Sequence, residues 1–274
     1  MEKRELIRKL NEMLLEDLPQ FRREAEQFPD DEASRRRLLR ALMNLRPPMP
    51  LRGDFLALQD ELLSREREER GVVEAMELPA EPGGRVALWR GDITRLRADA
   101  IVNAANSALL GCFHPCHGCI DNAIHSAAGL QLREECSRIM AAQGHEEPVG
   151  GAKLTGAYNL PSRYVLHTVG PAVCGEATAE ECEQLASCYR SCLRLAAEHG
   201  LQSVAFCCIS TGVFHFPDRL AAEIAIETVG EFLRQDDAVR RVVFDVYTQR
   251  DLALYRALLS DGAGRGRNSL GQNE

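Results

Sequence analysis

The sequence predicts an α/β domain preceded by a helical extension. Up to about residue 80 the chain is rich in Leu, Glu and Arg, with apolar residues at helical spacing. From Arg85 onward, short β-branched runs alternate with helical patterns. Between the first of these runs and a helix lies the stretch 101–129, IVNAANSALLGCFHPCHGCIDNAIHSAAG, which crowds asparagines, three cysteines, three histidines and an aspartate together. Loops anchored on rigid elements carry sites more often than element interiors do, so the search for chemistry starts there.

In chain order, ELIRKLNEMLLEDL and SRRRLLRALMNL read as amphipathic helices. RPPMP ends the second, because proline lacks the amide a helix needs. DFLALQDELLSREREER reads as a third. This extension, 1–80, has little Gly and no ligand cluster, so it is expected to be an appendage packing on the main domain, with a lid or a partner surface as the other uses. In the main domain, expected over 81–262, VALW, AIVN, YVLHTV, SVAFCCI and VVFDVY read as buried strands. Helical patterns lie near 121–142, 179–199, 218–235 and 250–260. Such alternation implies a sheet covered on both faces, whose ligands sit beyond the carboxyl ends of its strands. The Gly-rich polar tail 263–274 is expected to be disordered.

Composition narrows the function classes. The 274 residues are 45% hydrophobic and 27% charged, ordinary values for a globular protein. No apolar run reaches the length of a membrane span, and Met1 leads into the charged MEKRELIRKL, so a cytoplasmic protein with no membrane partner is expected. A net charge of -8 argues against a non-specific nucleic-acid binder. Ten cysteines in this context read as thiols and metal ligands rather than a disulfide framework, with Cys207 and Cys208 as small core residues in VAFCCI.

Three loops follow predicted strands and could share one crevice. Gly91-Asp92-Ile93 offers a carboxylate able to accept from an amino group such as that of adenine, or to cap a turn. IVNAAN runs into the ligand cluster. Ile209-Ser210-Thr211-Gly212-Val213-Phe214 is a small-residue turn suited to presenting backbone amides to phosphate.

Taken together, GDIT, IVNAANSALLG, IDNAIHSAAG, GGAKLTGAYNLPSRYVLHTVGP and ISTGVFHFP, in this order over roughly 85–260, resemble the macrodomain family. The resemblance implies a mixed β-sheet sandwiched between helices that binds ADP-ribose. It places Asp92 and Ile93 on adenine and wraps Ser210, Thr211, Gly212, Val213 and Phe214 around the diphosphate. Asn103 and Asn106 would face the distal ribose with Asp121 close behind, and Ile120 and Asn122 would flank Asp121 in the same site. Tyr247, ending VVFDVY, is an aromatic neighbour for adenine or a core tyrosine.

Where many macrodomains carry a run of glycines, this chain has Gly111-Cys112-Phe113-His114-Pro115-Cys116-His117-Gly118-Cys119. That departure is similar to the zinc-dependent macrodomains, which also bear a helical extension with RPP and LQDELL segments. The resemblance assigns Zn²⁺ to Cys112, His117 and Cys119. Spacing alone does not choose them, since Cys116 and Cys119 form a zinc-like pair and His114 lies within reach. Two thiolates and one imidazole leave a fourth tetrahedral position open, as in catalytic sites; closure by Cys116 or His114 would leave a structural brace.

The resemblance implies a zinc-dependent hydrolase removing mono-ADP-ribose from a protein side chain. A carboxylate-linked ester on a lipoyl-carrier protein modified by a sirtuin-type transferase is the expected substrate. Asp121 would take a proton or align water, with Asn106 beside it, and Asp121 could equally cap the following helix. The alternatives are a reader that binds ADP-ribose without cleaving it and an O-acyl-ADP-ribose deacylase. His125 and His167 read as packing histidines, and His215 as a neighbour of phosphate or ribose.

Overall fold

The computed structural model describes residues 1–81 and 84–268. The extension consists of α1 (Lys3–Asp17), the short α2 (Arg22–Glu26), α3 (Glu32–Leu45) and α4 (Gly53–Arg70). Leu6, Ile7, Leu10 and Leu14 repeat at three- and four-residue intervals, which puts them on one stripe of α1. That stripe meets Leu38, Leu39 and Leu42 of α3 and Leu62 and Leu63 of α4 in a core of its own, joined by Leu130 from the main domain. Asp31 starts α3 by accepting from the Ser34 amide at 2.9 Å.

The main domain follows as β1 (Val73–Glu74), β2 (Val86–Arg90), β3 (Leu96–Arg97) and β4 (Ala100–Ala105). Next come α5 (Ile120–Ala128), α6 (Leu130–Gln143), β5 (Ala152–Gly156) and β6 (Tyr164–Val169). The chain continues through α7 (Ala179–Glu198), β7 (Ser203–Phe206), α8 (Asp218–Gln235), β8 (Arg241–Val246) and α9 (Gln249–Asn268). The central sheet has six strands in the order β2-β8-β7-β4-β6-β5. All neighbours are parallel except β5, which runs antiparallel to β6 at the edge. The sheet is therefore mixed, with α5 and α6 packed beside β4 and β5, and α7, α8 and α9 packed in series. No described helix is long and apolar enough to cross a membrane.

Three local differences from the sequence expectation have physical causes. The helix expected over 121–142 is two helices, because Gly129 adopts φ +96. A Cβ there would lie 2.6 Å from both Gln59 Nε2 and Gln131 Oε1, at the point where α4 docks. β5 escaped notice because AKLTG sits at an edge and carries few apolar residues. β7 ends at Phe206, so Cys207 and Cys208 leave the sheet rather than extend it. The last helix, α9, ends at Asn268 and so overlaps the first residues of the tail expected over 263–274. The remainder of that stretch, 269–274, lies outside the described residues.

Candidate functional site

Because β2, β4, β6, β7 and β8 run parallel, their carboxyl ends share one edge of the sheet, and the loops leaving them enclose a cleft of about 1070 Å³. The cleft has two chemically distinct ends. Loops after β2, β7 and β8 line one, with Asp92, Ile93, Ser210, Thr211, Gly212, Val213, Phe214 and Tyr247. The loop after β4 and the first turn of α5 line the other, with Asn106, Cys112, His117, Cys119, Ile120 and Asp121. Cys207 and Cys208 are packed as expected and also reach the cleft wall.

At the first end, Asp92 accepts from the Thr94 amide at 3.0 Å and the Thr94 hydroxyl at 2.7 Å through Oδ1. Arg70 of α4 donates to Oδ2 at 3.3 Å. The turn-capping reading of Asp92 therefore holds, and its half-exposed side chain still lines the cleft. In the 210–214 turn, Ser210 adopts φ +65, and among the described residues the amides of Thr211, Gly212, Val213 and Phe214 donate to no protein acceptor. The Ser210 hydroxyl is buried and likewise without a partner. Such a cluster of undirected N–H and O–H groups favours an anion. Tyr247 is 80% exposed, so it is a surface aromatic at the cleft mouth rather than a core residue.

Asp245, the penultimate residue of β8, was not singled out from sequence. It is buried in the cleft wall with Oδ1 unpartnered, and burial together with the Asp92 charge pushes it up to about 9. One polar residue inside VVFDVY was the available signal.

At the second end, Cys119 caps α5, its sulfur accepting from the Asn122 amide at 3.4 Å. Cys112 Sγ lies 3.6 Å from His117 Nδ1, and the donor atoms of Cys112, His117 and Cys119 all fall within 4.8 Å of one another. A tetrahedral zinc with bonds of about 2.3 Å to sulfur and 2.0–2.1 Å to nitrogen sets such an S and N about 3.5–3.6 Å apart. The three side chains thus fit the metal. Cys116 and His114 stand outside this group: the Cys116 thiol donates to the Arg37 carbonyl at 3.5 Å. Burial, followed by the neighbouring Cys112 thiol, pushes Cys119 up to about 11, so this sulfur needs a cation to become a thiolate near neutrality.

Asp121 begins the buried face of α5 and is pushed up to about 6 by burial, against the hydrogen bond from Asn103. Asn103 Nδ2 donates to Oδ1 at 2.7 Å and Asn106 Nδ2 to Oδ2 at 3.3 Å. Asn106 is fully engaged, since Nδ2 also donates to the Gly111 carbonyl and Oδ1 accepts from the Ala108 amide. Gly111 holds φ +80 directly over His125, where a Cβ would stand 2.8 Å from the ring.

Two of the residues expected to contact ligand stand behind the cleft lining. Asn103 does not line the cleft; it is wholly buried behind Asp121, pinned between Asp121 and His167, because its strand position points into the packed face. Asn122 is also wholly buried, its amide committed to Arg40 and to the Cys112 and His114 carbonyls. His125 and His167 are buried packing residues, and burial lowers His167 to about 3. His215 is exposed outside the cleft, its chain turned away at φ +56. Sequence reading missed Arg40 of α3, which lines the cleft, and Arg133, whose Nη1 gathers the Met43, Asn44 and Arg46 carbonyls.

A mixed sheet between helices, with a turn of unpaired amides at one end of its carboxyl-edge cleft and a thiol and imidazole group at the other, defines an α/β domain with its candidate site beyond the strand ends. The chain belongs to the macrodomain family: the Macro domain model matches residues 102–225. A protein-ADP-ribose hydrolase of Treponema medium is 50% identical over 254 residues, covering 92% of this chain and 97% of that protein. Among solved structures, an Oceanobacillus iheyensis macrodomain with ADP is 35% identical with a TM-score of 0.62, covering 68% of this chain and 96% of that one. A Trypanosoma brucei macrodomain is 33% identical with a TM-score of 0.62, covering 83% and 93%.

Proposed function

We propose that this protein is a zinc-dependent hydrolase that releases mono-ADP-ribose from a modified protein side chain. The observation that carries this reading is the meeting of Asp121 with Cys112, His117 and Cys119 at the end of the cleft away from Asp92 and Tyr247. A reader needs ground-state complementarity only and has no use for a buried carboxylate beside a metal-ligand triad. The 50% identity to a protein-ADP-ribose hydrolase over nearly the whole chain supports the same activity.

Asp92 and the Ile93 segment hold adenine, Tyr247 borders it, and the Ser210–Phe214 amides hold the diphosphate, which delivers the distal ribose to Asp121. Asn103 and Asn106 fix both oxygens of Asp121, so that its carboxylate takes the proton from an attacking water. Water adds across the bond between ribose and the modified carboxylate; ADP-ribose and the free side-chain carboxylate leave. Cys112, His117 and Cys119 would hold Zn²⁺, which when bound would supply a Lewis-acid position for an oxygen. The substrate we infer is an ester-linked ADP-ribosyl group on a lipoyl-carrier protein, modified by a sirtuin-type transferase in the cytoplasm. Ten unpaired cysteines suit that reducing compartment.

Purified protein is expected to hold about one zinc per chain, and Cys119→Ala to lose both metal and turnover, because two ligands bind zinc far more weakly than three. Full activity after chelation would refute the zinc requirement. Protein that keeps zinc and binds ADP-ribose, yet releases none from Asp-, Glu-, Ser- or Arg-linked substrates, would be a reader.

A further inference from the structure

The loop 112–119 is held from outside by the N-terminal extension. Arg37, Arg40 and Asn44 follow one another at intervals of three and four residues along α3, so they meet the loop along a single stripe of that helix. The Arg37 carbonyl accepts from the Cys116 thiol at 3.5 Å. Arg40 Nη2 donates to the His117 carbonyl at 3.2 Å and to Asn122 Oδ1 at 2.7 Å, and Nε reaches the same oxygen at 3.1 Å. Asn44 Oδ1 accepts from the Cys116 amide at 2.9 Å, while its Nδ2 donates to Ser126 of α5 at 3.1 Å. Buried Asn122 relays the constraint, donating to the His114 carbonyl at 3.0 Å and the Cys112 carbonyl at 3.5 Å.

This network acts on the backbone of the proposed ligands themselves. Cys116 adopts φ +54, a conformation costly for a residue with a Cβ, and the amide it turns outward is the one Asn44 receives. Among the described residues Arg40 forms no ion pair with a carboxylate, so its guanidinium is committed to the loop and to the cleft it lines. Its planar fork spans two acceptors at once, which a single ammonium cannot do. Arg133 anchors the other end of the arrangement, Nη1 gathering three carbonyls at the end of α3 and Nε holding the Leu110 carbonyl just before Cys112.

We propose that Arg40 is a positioning residue for the metal-ligand loop, and that the N-terminal helices are through it a working part of the hydrolase site. The inference rests on the reading that Cys112, His117 and Cys119 bind zinc. Groups that orient metal ligands contribute roughly 10–100-fold to metal affinity, although they never touch the ion.

The test compares wild type, Arg40→Ala, Arg40→Lys and Arg36→Ala, which removes an ion pair with Glu66 wholly inside the extension. Zinc affinity is measured by competition with a chromophoric chelator, and melting temperature on the chelated proteins. Arg40→Ala should weaken zinc binding by roughly 10–100-fold, with Arg40→Lys close to it and Arg36→Ala close to wild type. The chelated Arg40 variants should melt near chelated wild type, a separation that a merely structural role would not give. Should Arg40→Ala fail to fold, Arg40→Lys carries the same comparison. Unchanged zinc affinity in both Arg40 variants, or an equal loss in Arg36→Ala, overturns the proposal while leaving the zinc reading intact. Wild type that binds no zinc overturns both.

Discussion

Asp121→Asn separates catalysis from binding with the smallest change of shape. Asp121 Oδ1 receives Asn103 Nδ2 at 2.7 Å and Oδ2 receives Asn106 Nδ2 at 3.3 Å, so both oxygens face amide donors. The substituted amide keeps one oxygen and turns an NH₂ group toward the other donor, leaving that donor unpaired at about 1–3 kcal/mol. Relief of the burial that pushes the carboxyl up to about 6 offsets part of this cost. At roughly 2–4 °C per kcal/mol for a chain of this size, the variant should melt only a few degrees lower. The chemical step loses its proton acceptor, a contribution of about 10²–10⁴-fold in rate, or ~2.7–5.5 kcal/mol in barrier. Single-turnover release of ADP-ribose from a mono-ADP-ribosylated carrier reads that loss. Calorimetry with ADP-ribose and zinc analysis on the same sample should show affinity within a few fold and metal retained. Turnover within a few fold of wild type, with zinc present, would remove Asp121 from the mechanism. A loss of affinity parallel to the loss of rate would make it a ground-state contact instead.

At the opposite end of the cleft, Asp92→Ala should weaken ADP-ribose binding by about 1–3 kcal/mol, through an adenine amino group left unpaired, with zinc content unchanged; equal calorimetric affinity in the folded variant would exclude Asp92 from recognition. Arg133→Met removes the donor to the Met43, Asn44 and Arg46 carbonyls, and should cost about 3–5 kcal/mol in denaturant unfolding. A cost below 1 kcal/mol, a bound set by the net value of one ordinary hydrogen bond, would show that water satisfies those carbonyls equally well. Asp245 keeps its proton to about pH 9 in the folded protein, against an ordinary value of 3.8, so the folded state binds more protons than the unfolded one across that window. Stability from this group is present below the lower value and declines as pH rises toward the upper one. Asp245→Asn should therefore raise the melting temperature more at pH 8 than at pH 5, and an equal shift at both would refute the assignment.

The parts of the fold written in local patterns were legible. β4, β6 and β8 show as continuous β-branched runs because parallel central strands are buried on both faces. The edge strand β5 has no such requirement, and its AKLTG carries no comparable pattern. Asp92, the Ser210–Phe214 turn and the thiol and imidazole cluster could be singled out because each stands in a loop, though only the family resemblance picked Cys112, His117 and Cys119 from that cluster; these three line the cleft with Asp92 and the turn. Asn103 stands near a loop in sequence but inside β4, where it packs behind Asp121 rather than lining the cleft, and that placement is not visible from its neighbours in sequence.

Arg40 shows why the remainder could not be read. It stands in SRRRLLR, where four arginines flank two leucines and nothing local distinguishes one guanidinium from the next. Arg36 on the same helix pairs with Glu66 inside the extension, whereas Arg40, one turn on, reaches Asn122 across 82 residues of sequence. The difference is set by where α3 docks, and docking is decided by apolar burial around Leu38, Leu39 and Leu42 together with the Arg133 carbonyl clamp. Periodicity finds the apolar stripe but says nothing of the rotation at which its polar flank meets another element. A charged side chain at the border of such a stripe is thus where a helix read as packing material can carry part of a site. In this protein the two asparagines that Arg40 and Cys116 engage, Asn122 and Asn44, mark that border from both sides.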